Sequence, residues 1–120
     1  MNVLNAKPNI VHNFLVDLEK NRKLKVIITQ NIDNLHQLAG SKNVLEIHGS
    51  MYQNYCMNCH KKYDIEFIFN SKDIPLCICG HLIRPNVLLY GERLPECFNT
   101  AIDWITKAET LIVAGTSLTV

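Results

Sequence analysis

The 120-residue chain has no apolar run near the ~18 residues that cross a bilayer; its longest, such as Val87-Leu88-Leu89, are strand-sized. Met1 to Pro8 has no basic stretch leading into an apolar one, so no secretion signal is read and the cytoplasm is the expected compartment. Charge of one sign is missing too. Twelve Lys and Arg against eleven Asp and Glu leave a formal +1, unlike the strongly basic balance of a nucleic-acid binder. Aromatic residues, at 8%, offer no base-stacking platform. The five glycines, Gly40, Gly49, Gly80, Gly91 and Gly115, never fall as G-x-G, and no phosphate-cradling loop at a helix N-terminus is found. What is present is an ordinary globular balance, 48% hydrophobic and 19% charged, which excludes a disordered chain. The length corresponds to one domain or part of one.

Residues 8–22 are predicted as a helix, with Pro8 in its first turn and an apolar face of Ile10, Val11, Phe14, Leu15 and Leu18. Leu24 to Thr29 is a short β-branched run, the pattern of a buried strand. It ends in the polar cluster Gln30-Asn31-Ile32-Asp33. One or two helical turns through Leu35 and Leu38 follow, closed by Gly40. Val44 to Ile47 is a second strand, leading at once to His48-Gly49. Between Tyr52 and Arg84 cysteines and short apolar pieces dominate, with periodicity only from Ile65 to Phe69. Val87 to Tyr90 is expected as a third strand. Pro95 opens a helical pattern of Phe98, Ala101, Ile102, Ile105 and Ala108, and Leu111 to Ala114 is expected as a fourth strand.

Strands alternating with helices imply an α/β fold with mostly parallel pairing, interrupted by a small cysteine-rich module. Ligands in open α/β sheets bind at the carboxyl ends of the strands. Gln30 to Asp33, His48-Gly49 and Gly115 to Ser117 are therefore expected to converge on one crevice.

Cys56-x2-Cys59 is followed by Cys77-x-Cys79. In a reducing compartment such pairs are metal ligands rather than disulfides. Four thiolates complete a tetrahedral zinc shell with no open position, so one structural zinc is expected. The second pair is one residue shorter than the usual C-x2-C, and Gly80 beside it supplies the tight backbone. Four thiolates add four negative charges and the ion two positive ones, moving the formal balance from +1 to −1. His60 and His81 are expected as solvated neighbours, Cys97 as a packing residue, and His12 and His36 as polar-face residues. Taken alone, Asp33 is a helix N-cap, and Gly115-Thr116-Ser117 is a turn.

Taken together, Thr29 to His36, Ala39-Gly40, Glu46 to Gly49, the two cysteine pairs, Arg84 to Glu92 and Ala114 to Leu118 resemble the sirtuin family in the family's order. Ala6-Lys7-Pro8-Asn9-x-x-His12 resembles the segment before them. The resemblance implies an NAD-dependent protein deacylase, usually acting on acetyl-lysine and passing the acyl group to ADP-ribose as nicotinamide leaves. The implied fold is a partial Rossmann-like parallel sheet, residues 1–49 and 86–120, with a small zinc-binding module, residues 50–85, inserted in it. By that resemblance Gln30, Asn31, Ile32 and Asp33 line the nicotinamide and ribose region, with Asn31 and Asp33 acting in catalysis. His48 is the general base, and Gly115, Thr116 and Ser117 bind NAD. Val87, Leu88 and Tyr90 lie along the acylated peptide, and Cys56, Cys59, Cys77 and Cys79 hold zinc. These residue types suit the chemistry. A carboxamide and a carboxylate stabilise developing positive charge, imidazole takes up a proton near neutral pH, and an extended peptide adds to a strand edge.

The family's Gly-Ala-Gly-Ile-Ser segment is absent, and the chain stops after the fourth expected strand. The chain thus reads as the middle of a sirtuin. Such a segment is expected to expose apolar faces and unpaired edges, to fold marginally, and alone to bind NAD weakly or not at all. Three other readings stay open at the level of sequence: a non-catalytic zinc module for binding proteins or nucleic acid, a truncated inactive sirtuin with a scaffold role, and mono-ADP-ribosyl transfer. Acylated lysine proteins are the expected partners, with neither nucleic acid nor membrane.

Overall fold

The computed structural model describes residues 5–117. Helix α1 (Ile10–Lys20) is started by Asn9, whose side-chain oxygen accepts from the Val11 and His12 N–H groups, while His12 Nδ1 accepts from the Asn9 N–H. This reciprocal cap satisfies donors that a helix start leaves orphaned. After α1 come β1 (Ile27–Thr29), the short helix α2 (Leu35–Ala39) and β2 (Val44–Glu46). Strands β1 and β2 are parallel, with Ile27 opposite Val44 and Thr29 opposite Glu46. Gly40 closes α2 at φ +110, a left-handed position that glycine adopts freely.

The apolar face expected for α1 holds in part, with Leu15 and Leu18 half-buried, and is otherwise corrected. Ile10, Val11 and Phe14 are exposed, and Val16 is the buried residue. The helix turns toward α2, where the His12 and His36 rings meet at 4.8 Å between centroids. They are therefore packing residues rather than polar-face ones. His36 is pushed down from the ordinary histidine range, first by burial and then by His12. At the other end of α1 the Glu19 carboxylate accepts from the Lys42 and Asn43 N–H groups, at 3.0–3.2 Å. That bond anchors α1 to the entry of β2.

Strand β3 (Gly49–Cys56) leads to β4 (Lys62–Tyr63), helix α3 (Ile65–Asn70) and β5 (Ile83–Val87). These strands form an antiparallel sheet in the order β4-β3-β5. The strand expected over Val87 to Tyr90 therefore lies earlier in the chain and pairs antiparallel. Once β3 has turned back at His48-Gly49, its nearest edge is offered to residues 83–87. Among the described residues the only parallel pair is β1 with β2.

Gly49, at φ +79, passes so close to β5 that a Cβ there would collide with the Asn86 carbonyl. Gly49→Ala is expected to destabilise the protein by about 2–5 kcal/mol, from left-handed strain plus overpacking. A thermal melt by circular dichroism checks this, and an unchanged midpoint would refute the close approach.

Helix α4 (Cys97–Lys107) follows. Of its apolar pattern only Ala101 is buried, with Ile102, Trp104 and Ile105 exposed. Leu111 to Ala114 forms no strand, and Ile112 is 75% exposed. No described strand pairs with this run, and extended backbone becomes a strand only when a neighbour takes up its hydrogen bonds. Leu111 and Val113 are exposed with Ile112. Leu118 lies outside the described residues. Among the described residues no helix is long and apolar enough to cross a membrane.

Candidate functional site

The polar cluster after β1 is held by its own backbone. The Asn31 N–H donates to Thr29 Oγ1 at 3.1 Å, and Asp33 Oδ1 accepts from the Leu35 N–H at 3.0 Å. Asp33 is therefore not the N-cap of α2 that the residue alone suggests, a position held by Asn34, but braces the first turn from one residue earlier. It also faces a cavity of about 410 Å³ lined by Gln30, Asn31, Ile32, Asp33, His48, Val87 and Leu88. This volume falls at the lower end of small-molecule sites, about 300–1,000 Å³. It suits one end of a dinucleotide rather than a whole one.

His48 occupies the turn between β2 and β3 and is half-buried. Its Nδ1 lies 3.1 Å from the Gln30 carbonyl oxygen. A carbonyl only accepts, so Nδ1 carries the proton in the neutral ring and Nε2 is left as an acceptor. That is the tautomer a general base requires. The Leu88 N–H donates to the His48 carbonyl at 3.0 Å, and the Met51 N–H to the Ile32 carbonyl at 3.1 Å. The three walls of the cavity are therefore tied together through backbone.

Gly115, Thr116 and Ser117 are not among the residues lining this cavity, and Tyr90 is fully exposed at 103%. Arg84 and Glu92, which sequence reasoning gave no role, form an ion pair at 2.7 Å. Arg84 pulls the Glu92 carboxyl down to about 2, helped by the Leu89 N–H. Because the folded pKa is depressed below the ordinary 4.5, the stability from this group is complete above about pH 4.5 and is lost as pH falls toward 2.

The four paired cysteines converge, with all four sulfurs within 4.8 Å of one another. Cys56 and Cys79 are 3.4 Å apart, Cys59 and Cys77 3.5 Å, and Cys59 and Cys79 3.6 Å. A tetrahedron with zinc–sulfur bonds of about 2.3 Å has edges of about 3.8 Å, so the cluster fits zinc. The Asn58 and Cys59 N–H groups point at Cys56 Sγ, and Gly80 makes the second turn at φ +83. The backbone hydrogen bond at Cys79, and then the Tyr63 hydroxyl, lower Cys77 to about 6. The hydrogen bond at Lys61 pulls Cys59 down, but the neighbouring sulfurs and burial push it up to about 12. Such opposed shifts are what crowded thiols produce, and a dication relieves the crowding. Cys97 stays apart, its Sγ 3.7 Å from the Glu46 carbonyl, and His60 and His81 are exposed.

Tyr63 was not anticipated; nothing in the cysteine spacing marks it. Its hydroxyl donates to Cys77 Sγ at 3.1 Å. Tyr63→Phe removes that bond and is expected to weaken zinc binding roughly 10-fold, as loss of outer-shell partners does. Competition with a colorimetric chelator measures this, and an unchanged curve would count against the role.

A parallel strand pair with a cavity at its carboxyl end, continued by an antiparallel sheet bearing four cysteines placed to hold a structural zinc, defines an α/β protein with an inserted metal-binding module. Residues 1–120 match the model of the Sir2 family. The chain belongs to that family.

An NAD-dependent protein deacetylase of Clostridium perfringens is 55% identical over 97% of this chain and 48% of that protein. One from Thermotoga maritima is 46% identical over 98% of this chain and 50% of that protein. The chain spans about half the length of the curated relatives it matches. Among solved structures, a sirtuin chain from work on substrate affinity superposes with a TM-score of 0.92 at 46% identity. That match covers 98% of this chain and 50% of the other. A Sir2 complex with a p53 peptide and NAD+ gives 0.81 at 45% identity, over 88% of this chain and 46% of the other.

Proposed function

We propose that this chain carries the nicotinamide-ribose and acyl-lysine half of an NAD-dependent protein lysine deacetylase. The observation that carries the reading is the single cavity shared by Gln30, Asn31, Ile32, Asp33, His48, Val87 and Leu88. The names of the relatives and the ligands of the similar Sir2 complexes support it.

NAD, when bound, supplies the ribose carbon that takes up the acyl oxygen as nicotinamide leaves. Asn31 and Asp33, oriented through Thr29 and Leu35, stabilise the positive charge that develops there. His48 accepts the proton of a ribose hydroxyl at Nε2. Gln30 and Ile32 complete that wall, and Gly115, Thr116 and Ser117 contact a further part of NAD. Val87, Leu88 and Tyr90 take an extended acyl-lysine peptide by β-augmentation. Residues 1–49 and 86–120 act as the Rossmann-like part, and 50–85 as the zinc module. The activity is acyl transfer with net amide hydrolysis, in the cytoplasm.

The test incubates the purified full-length protein with NAD and an acetyl-lysine peptide. Nicotinamide, acyl-ADP-ribose and deacetylated peptide are expected in equal amounts. No NAD-dependent loss of acetyl group would overturn the reading.

A further inference from the structure

The residues that wall the acyl side of the cavity are held by a device outside it. Arg84, at the second position of β5, reaches past its own strand. Its Nη1 and Nη2 donate to the Glu92 carboxylate at 2.7 and 3.1 Å, and Nη2 also donates to the Val87 carbonyl at 3.0 Å. The same carboxylate accepts from the Leu89 N–H at 2.9 Å, and the Glu92 N–H donates to the Leu89 carbonyl at 3.1 Å. Between these anchors the Leu88 N–H is bound to the His48 carbonyl. Three consecutive residues, 87 to 89, are therefore fixed through the backbone, Val87 and Leu88 at one group in these bonds and Leu89 at two. Two are fixed by the ion pair and one by the proposed base. The Arg84 and Glu92 side chains are only 23% and 38% exposed. The forked, two-point geometry gives direction as well as attraction.

We propose that Arg84 and Glu92 are positioning residues: their ion pair sets the backbone of residues 87–89 against His48 and thereby the site for the acyl-lysine peptide. The inference rests on the deacetylase reading. Neither side chain needs to touch substrate or cofactor. A strand edge accepts an incoming peptide only if its free backbone groups keep their register, and a segment ending in the turn at Gly91 has no ladder of its own beyond Val87. The ion pair supplies the rigidity that a neighbouring strand supplies elsewhere.

The experiment uses the full-length protein with Glu92→Gln and Arg84→Lys, both milder than truncation. Steady-state kinetics and amide hydrogen exchange are read side by side, with zinc content as a control on folding. In both variants KM for an acetyl-lysine peptide is expected to rise roughly 10-fold. KM for NAD and kcat should change by less than about threefold. Exchange at Leu88 and Leu89 should accelerate, while Tyr55 and Cys56 in β3 keep their protection. Unchanged peptide KM would overturn the proposal. So would an equal loss across peptide KM, NAD KM and zinc content, which marks a general structural role. If the wild-type protein deacetylates nothing but Leu89 still exchanges faster in the variants, the deacetylase reading fails, and the pair is only a brace for the loop.

Discussion

Replacing His48 with alanine is expected to lower acyl transfer to ADP-ribose about 10²–10⁴-fold, the usual worth of a general base, while nicotinamide release continues at a much larger fraction of the wild-type rate. The asymmetry follows from the proposed roles. Loss of nicotinamide needs stabilised positive charge, which Asn31 and Asp33 provide, and no proton is removed in that step. The later step requires a ribose hydroxyl to be deprotonated. His48 is arranged for this, since the Gln30 carbonyl at 3.1 Å holds the proton on Nδ1 and leaves Nε2 open. Asp33→Asn should behave differently and depress both steps, because it removes charge from the cavity wall. Quantifying nicotinamide and acyl-ADP-ribose from the same reaction separates the two patterns. Equal loss of both products in His48→Ala would mean that the imidazole serves the first step or only holds the Gln30 turn.

The second large effect concerns the metal. Stripping zinc with a chelator, or replacing Cys77 with alanine, is expected to unfold the β3–β4–β5 sheet outright. Structural zinc sites of small modules supply on the order of 10 kcal/mol of apparent binding energy. Here the ligands are themselves the core. Cys56 and Cys77 are buried together with Ile83, and the half-buried Tyr63 and Ile68 pack against them. Once the metal is gone, few buried aliphatic side chains, Ile83 and Ile65 of α3, remain to hold three strands. The β1–β2 pair and α1 rest on Val16, Ile27 and Thr29 instead, so they should keep their amide protection. Acid should act as chelator does, because protonated thiols do not ligate. Hydrogen exchange with and without chelator tests the claim. Uniform protection across both regions would show that the sheet stands without its ion.

Much of the site was legible because it is built from short, local signals. The two cysteine pairs carry their own geometry: a knuckle needs only a few residues and a left-handed glycine, and Gly80 is there at φ +83. The polar residues after β1 and the histidine after β2 could be assigned to one crevice because parallel neighbours end side by side, and β1 and β2 do pair in parallel. Arg84 and Glu92 were visible only as letters in a motif. Their pairing joins a strand to the far side of a turn, and no periodicity marks such a contact. Tyr63 is similar, its partner Cys77 being fourteen residues away across two elements.

Local residue pattern specifies the chemistry: four sulfurs spaced for zinc, and a carboxamide, a carboxylate and an imidazole at the ends of apolar runs. Those choices are local, since ligand type and backbone turn are set within a few residues. Tertiary structure decided which face of α1 is buried, that residues 83–87 pair antiparallel with β3, and that Leu111 to Ala114 stays unpaired. Each depends on whether a distant segment comes alongside to share hydrogen bonds or cover apolar surface, and hydrophobicity alone does not name that neighbour.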